Sequence, residues 1–172
     1  MYYIYIIFFL YSAFISTAFS RNGDLYIHGE VVSEPCVLNL NSRNQTIEIG
    51  NVIKKTLYLH TRTIGYPFTI QLEECDTSLG NDVEISFIGD GDLILPELLA
   101  INGTAKGIAI GIETIDGEHI KINKSILRKK ITNGKNIITI NAYIQAYTAA
   151  IENNQIIDGD FTANLNLLIN YP

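Results

Sequence analysis

A chain of 172 residues is long enough for one domain with a substantial core and leaves little for a second. Its hydrophobic fraction of 47% and charged fraction of 17% exclude a disordered chain. With 12 Lys and Arg against 18 Asp and Glu, a net charge of −6, it has no large phosphate-binding surface to offer, and nucleic acid is not an expected partner.

Residues 1–20, MYYIYIIFFLYSAFISTAFS, carry no charged side chain and end in small residues, with Ala18 and Ser20 just ahead of Arg21. That pattern predicts a secretory signal peptide cleaved after Ser20. The usual basic residue near its start is missing, which keeps an uncleaved membrane anchor as the alternative. Beyond it, residues 21–34 form a short arm. Leu25, Ile27, Gly29 and Val31 share one face of a period-two pattern, and Asp24, Tyr26, His28 and Glu30 share the other. No turn signal follows that would pair this strand with a local hairpin partner. It must find its partner across its own fold or on another molecule, and the residues alone leave both open.

Alternation continues through residues 35–172 and predicts an antiparallel sandwich of many short strands. Strands are expected over residues 31–40, 45–52 and 56–60. Another is clear over 66–73, where Phe68, Ile70 and Leu72 alternate with Thr69, Gln71 and Glu73. Further strands are expected over 83–88, 107–113 and 119–123, separated by turn signals at 89–92, Asp116-Gly117 and Asn133-Gly134. Residues 93–101 contain Pro96 and read as a loop or a single helical turn. The basic run Arg128, Lys129 and Lys130 reads as a solvated turn or strand edge. Ile138, Ile140, Ala142, Ile144 and Ala146 then mark a long strand.

The final segment, GDFTANLNLLINYP, places Phe161, Ala163, Leu165, Leu167, Ile169 and Tyr171 on one face. Thr162, Asn164, Asn166, Leu168 and Asn170 stand opposite, polar at all but one position. Chain ends fray unless docked, so a half-buried strand here has to be held by neighbours. Cys36 and Cys75 are the two cysteines, and in an oxidising compartment they suggest one disulfide, with two unrelated buried thiols as the alternative. A bridge closing that loop would remove on the order of 4 kcal/mol of unfolded-chain freedom.

The run GDLYIHGEVVSEPCVL, the second cysteine after FTIQLEEC, the segment GTAKGIAIGI followed by DGEHI, and the ending GDFTANLNLLINYP together resemble the type 1 fimbrial subunits of the bacterial chaperone-usher pathway. Gly159, fourteenth from the end, the penultimate Tyr171, and Gly29 in an alternating arm ahead of Cys36 are the most specific features. The resemblance implies an all-β pilin fold, an incomplete immunoglobulin-like sandwich lacking its last strand, with an N-terminal donor-strand arm. It implies Leu25, Ile27, Gly29 and Val31 as the donated face. Gly159, Phe161, Ala163, Leu165, Leu167, Ile169 and Tyr171 become the acceptor groove and chaperone contact, and Cys36 pairs with Cys75. The implied partners are a periplasmic pilus chaperone, an outer-membrane usher and neighbouring pilin subunits, and the implied destination is a fimbria at the cell surface. Pro172 departs from the pattern, where a polar residue is more familiar, and so does the signal peptide without its basic start.

Catalytic and cofactor chemistry has no foothold in the sequence, which contains no G-x-S-x-G elbow, H-E-x-x-H pair or P-loop. His28, His60 and His119 are scattered and neither cysteine belongs to a C-x-x-C pair, so no zinc site is expected. Glu73-Glu74 and Asp90-x-Asp92 are the close acidic pairs, and the Gly89 to Asp92 stretch reads as a turn before it reads as a calcium loop. The rival to a fimbrial subunit is a self-contained secreted sandwich of the lectin or immunoglobulin kind. The N-x-S/T sites at Asn44, Asn102 and Asn123 would suit that rival, and the arm would not.

Overall fold

The computed structural model describes residues 25–29 and 34–172; the expected signal peptide and Val31 lie outside the described residues. The chain divides into two compact units, Met1–Val32 and Ser33–Pro172. In the first, residues 25–29 belong to no strand or helix.

The second unit is built from β1 (Val37–Leu38), β2 (Tyr66–Cys75), β3 (Asp82–Gly89), β4 (Asn102–Gly103), β5 (Ile108–Thr114), β6 (His119–Ile120), β7 (Ile126–Lys130), β8 (Gly134–Ala146), β9 (Phe161–Thr162) and β10 (Leu165–Asn170). Three short helices join them: α1 (Leu40–Arg43), α2 (Lys54–His60) and α3 (Thr148–Glu152). One sheet has the order β1-β2-β8-β5-β6, a second has β10-β3-β7, and β4 pairs with β9. Every ladder is antiparallel. The sequence periods explain the core directly. Phe68, Ile70 and Leu72 from β2, Val83, Ile85 and Phe87 from β3, and Ile138, Ile140, Ala142 and Ile144 from β8 all turn inward and are buried. Cys36 and Cys75 form a disulfide between the chain just before β1 and the end of β2. A β-bulge between Leu72 and Cys75, with Glu74 at φ 53°, shifts the alternation so that Cys75 and not Glu74 turns inward.

Several expected elements take a different form. Residues 56–60 are helical within α2, where Leu57 is buried and Leu59 faces solvent. An apolar alternation only five residues long fits one helical turn as well as a strand. Residues 45–52 carry no strand. Of the strand expected over 31–40, residues 31–33 lie outside the described residues and the remainder is reduced to β1, and the strand expected over 119–123 is reduced to β6. Beyond β6 the Asn123 side chain takes over the ladder position, its Nδ2 donating to Gly89 O at 2.8 Å and its Oδ1 accepting from Gly89 N at 3.2 Å. The basic run forms the edge strand β7, and the C-terminal strand is broken at Ala163 and Asn164 into β9 and β10.

Residues 93–101 are organised by buried Asp92. Its Oδ1 accepts from the N–H groups of Ile94 at 2.9 Å and Leu95 at 2.8 Å, and its Oδ2 accepts from the Tyr147 hydroxyl at 2.5 Å. The carboxylate is thus occupied by donors that hold this turn in place. Burial, and then the hydrogen bond and charge of Asp92, hold the Tyr147 phenol well above its ordinary pKa of 10.0. A tyrosine raised in the folded state stabilises the fold fully below its unfolded pKa, and that contribution is lost as pH rises through the folded value. The urea midpoint should therefore fall as pH rises past about 10. In Tyr147→Phe the midpoint at neutral pH should be lower and the alkaline fall shallower; an unchanged alkaline limb would assign the effect to Tyr143 and Tyr171, whose pKa values are also raised.

Candidate functional site

β10 is a sheet edge. It pairs with β3 from Leu165 opposite Gly89 to Asn170 opposite Glu84, and among the described residues no strand lies along its other side. That side opens on a cleft of about 1170 Å³. Residues 159–167 form one wall, residues 42–52 the other, and Phe68, Ile110, Ile112 and Ala142 from the larger sheet lie at the bottom. The volume exceeds the roughly 300–1,000 Å³ of a small-molecule site, and the cleft follows a strand. Its dimensions suit an extended peptide.

The expected acceptor residues sit where the alternation puts them. Phe161, Ala163, Leu165, Leu167, Ile169 and Tyr171 are each half-buried against the core, and the residues between them are exposed. Directly across in β3, Ile85 and Phe87 are 0% exposed. The inward row of β10 is therefore positioned for a core and left partly uncovered. Gly159, Phe161, Ala163, Leu165 and Leu167 line the cleft, whereas Ile169 and Tyr171 pack on the core beyond its lining. Tyr171 is held above the usual phenol pKa by burial first and by the nearby charge of Glu34 second.

Gly159 is required by a close approach of two backbones. A Cβ there would overlap Thr104 Oγ1 and lie 2.6 Å from the Ala105 nitrogen. That approach lets Asp160 O accept from the N–H groups of Thr104 at 3.0 Å and Ala105 at 3.2 Å, while Asp160 N donates to Thr104 Oγ1 at 3.1 Å. Lys54 at the start of α2 pairs with Asp158 at 2.9 Å and donates to Ile156 O at 3.4 Å, fastening the chain just ahead of the groove.

The wall formed by residues 42–52 was not singled out as part of a site in the sequence. Its signal was the pair Ile47 and Ile49 alternating with Thr46 and Glu48, which reads as a strand, although this segment has no ladder. Of the expected donor residues, Leu25 and Ile27 are each 84% exposed, and a Cβ on Gly29 would meet nothing within 4 Å. Among the described residues no group of three or more His, Cys, Asp or Glu side chains gathers as a metal site.

Two antiparallel sheets with one edge strand uncovered, among the described residues, beside a cleft that reaches core residues of the larger sheet define an incomplete β-sandwich. The profile of the family described as Fimbrial protein matches residues 25–172, and the chain belongs to that family. It is 29% identical to the Fimbria A protein of Serratia marcescens, over 93% of this chain and 90% of that one. It is 31% identical to the probable major fimbrial subunit LpfA of Escherichia coli O157:H7, over 77% of each. The fold is similar to that in the structure of a chaperone-usher pilus, with a TM-score of 0.70 at 23% identity over 91% of this chain and 99% of the other. This is a fimbrial structural subunit with the pilin fold.

Gly159→Ala should destabilise the subunit by about 1–3 kcal/mol, the usual effect of overpacking, because backbone stands where the methyl would go. A lower thermal midpoint measures it. A midpoint equal to the parent's would mean that the crossing at Thr104 and Ala105 relaxes freely.

Proposed function

We propose that this subunit polymerises by strand exchange, the arm of one copy completing the sandwich of the next. The observation that carries the reading is the half-buried inward row of Phe161, Ala163, Leu165 and Leu167 beside an unpaired strand edge and an open cleft. Leu25, Ile27, Gly29 and Val31 are the donated face. Burying Leu25, Ile27 and Val31 would contribute about 1.5–3 kcal/mol each, and each backbone hydrogen bond to β10 about 1 kcal/mol net. Gly29 supplies no side chain where the arm has to lie close to the groove.

In this reading the role is structural and not catalytic. An exported subunit with an open groove aggregates unless the groove is filled, so a periplasmic chaperone occupies it first. The arm of the next subunit replaces the chaperone at an outer-membrane usher, and the finished fibre contributes to adhesion at the cell surface. The likeness in fold to a subunit of a chaperone-usher pilus supports this route. The rival, a secreted module complete in itself, fits the structure less well. Its glycan site at Asn123 has the amide nitrogen donating to Gly89 O, and it has no use for an exposed apolar arm.

A chain lacking residues 22–31 should melt at low temperature and gain a large increase when given a peptide copying residues 24–34. The same peptide carrying Gly29→Leu should give little or none of that increase, because a side chain at 29 obstructs docking. In the intact chain Gly29→Leu should leave the body of the subunit unchanged and block fibre growth. Cooperative melting at high temperature without arm or peptide would overturn the reading.

A further inference from the structure

Leu168 is the one apolar residue among the outward positions of the C-terminal strand, and filling the cleft does not account for it. The structure places it on the solvent face of the smaller sheet, 57% exposed. Register aligns Leu168 with Ser86 on β3 and Ser86 with Ile126 on β7, and Ile88 lies opposite Asn166 in the adjoining row. Ile126 and Ile88 are 49% and 43% exposed. Neighbouring positions on this face carry closed ion pairs, Arg128 with Glu84 at 2.7 Å and Lys130 with Asp82 at 2.7 Å. The result is a row apolar at both ends, Leu168 and Ile126 with Ser86 between, that reaches the open edge of β10 beside neutralised charges.

The arm has a matching irregularity. On its outward face Tyr26 stands among Asp24, His28 and Glu30, and it is 88% exposed. We infer that Tyr26 of an incoming arm packs against Leu168 on the solvent face of the completed sheet, and that this contact fixes the register of the donated strand. The inference rests on the strand-exchange reading above. A one-residue slip would turn the inward set outward and is excluded by the groove itself, but slips of two residues keep the faces and need another constraint. Opposite Asn166 or Asn170, Tyr26 would face an amide and leave Leu168 bare. Opposite Leu168, it extends the row through Ser86 to Ile126.

The same register orders the inward face when the arm runs antiparallel to β10. Leu25 then falls opposite Ile169, Ile27 opposite Leu167, Gly29 opposite Leu165 and Val31 opposite Ala163. Leu165 is already flanked by Gly89 on its β3 side, so the row reads small, large, small. Leu99 crowds this point, since a Cβ on Gly89 would overlap its Cδ2, and Leu99 also lines the cleft. With Tyr26 opposite Leu168 in a parallel arm, Ile27 and Gly29 would fall opposite Ile169 and Tyr171, beyond the cleft lining. The antiparallel arm sets Ile27, Gly29 and Val31 along the cleft lining, the parallel arm Leu25 alone.

The test is cross-linking in assembled fibres of the full chain, with Tyr26→Cys combined in turn with Asn166→Cys, Leu168→Cys or Asn170→Cys. Oxidation should give a covalent ladder for the pair with 168 and several-fold less for the other two. A second measurement covers perturbation by the new cysteines: Tyr26→Asn and Leu168→Asn should each shorten fibre lifetime in denaturant by about two- to fivefold, the size of one cross-strand pair. The double variant should be no worse than either alone, and Tyr26→Phe should behave as the parent. Preference for 166 or 170, or additive losses in the double variant, would overturn the register and leave strand exchange standing. Failure of the unmodified chain to form fibres would remove strand exchange and this inference with it.

Discussion

Among the described residues, the N–H and C=O groups along the free side of β10 have no ladder partner, and the rest of the domain is arranged around that edge. A single absent strand accounts for three separate features. The inward row from Phe161 to Leu167 stops at half burial, while Ile85 and Phe87 across the same ladder are fully enclosed. Residues 45–52, on the far wall, have no ladder although their alternation suits one. Phe68, Ile110 and Ile112, core residues of the larger sheet, line an open cleft. One extended segment laid between the walls would address all three, because a strand has two hydrogen-bonding edges and an inward face.

The other sheet edges are protected. β1 and β6, which bound the larger sheet, are two residues long. β7 bounds the smaller sheet with Arg128, Lys129 and Lys130, two of them tied across the ladder to Glu84 and Asp82. Short edges and charged edges both discourage pairing with another chain. β10 has neither defence: it is six residues long and LNLLIN carries no charge. The contrast within one molecule argues that its open edge is a feature of the fold, and it supports the proposed exchange at this edge.

How much of this was legible in the sequence depended on whether a segment's neighbours were themselves in the chain. β2, β3 and β8 pair within the domain, so their alternation translated directly into buried and exposed faces, whereas β5 is buried along its whole length. The same held for residues 161–171, whose inward and outward sets are as expected. Residues 45–52 show the limit. Their pattern is that of a strand, but a pattern records which face is apolar and not whether a ladder partner is present. Residues 56–60 failed for a different reason, since TLYLH is too short to separate a period of 2 from one of 3.6. The bulge before Cys75 and the takeover of the β3 ladder by Asn123 depend on single residues with positive φ, Glu74 and Asn123. These leave no periodic trace.

Exposed Leu25 and Ile27, and a groove that leaves the inward row of β10 partly uncovered, are each a liability, and they are liabilities of opposite kind. In the proposed exchange one chain offers a single arm and a single groove, so its valence is two, and the two surfaces are different. An interface of that sort is heterologous, and unless its rotation happens to close a ring it extends as a filament. Stability then becomes a property of the contact: any strand that binds the groove stabilises the sandwich in proportion to the logarithm of its concentration over its dissociation constant. In that exchange an arm buries Leu25, Ile27 and Val31 and also completes the fold that receives it. Folding and polymerisation cannot be separated in such a molecule, because the residues that would complete the core of one copy belong to the next.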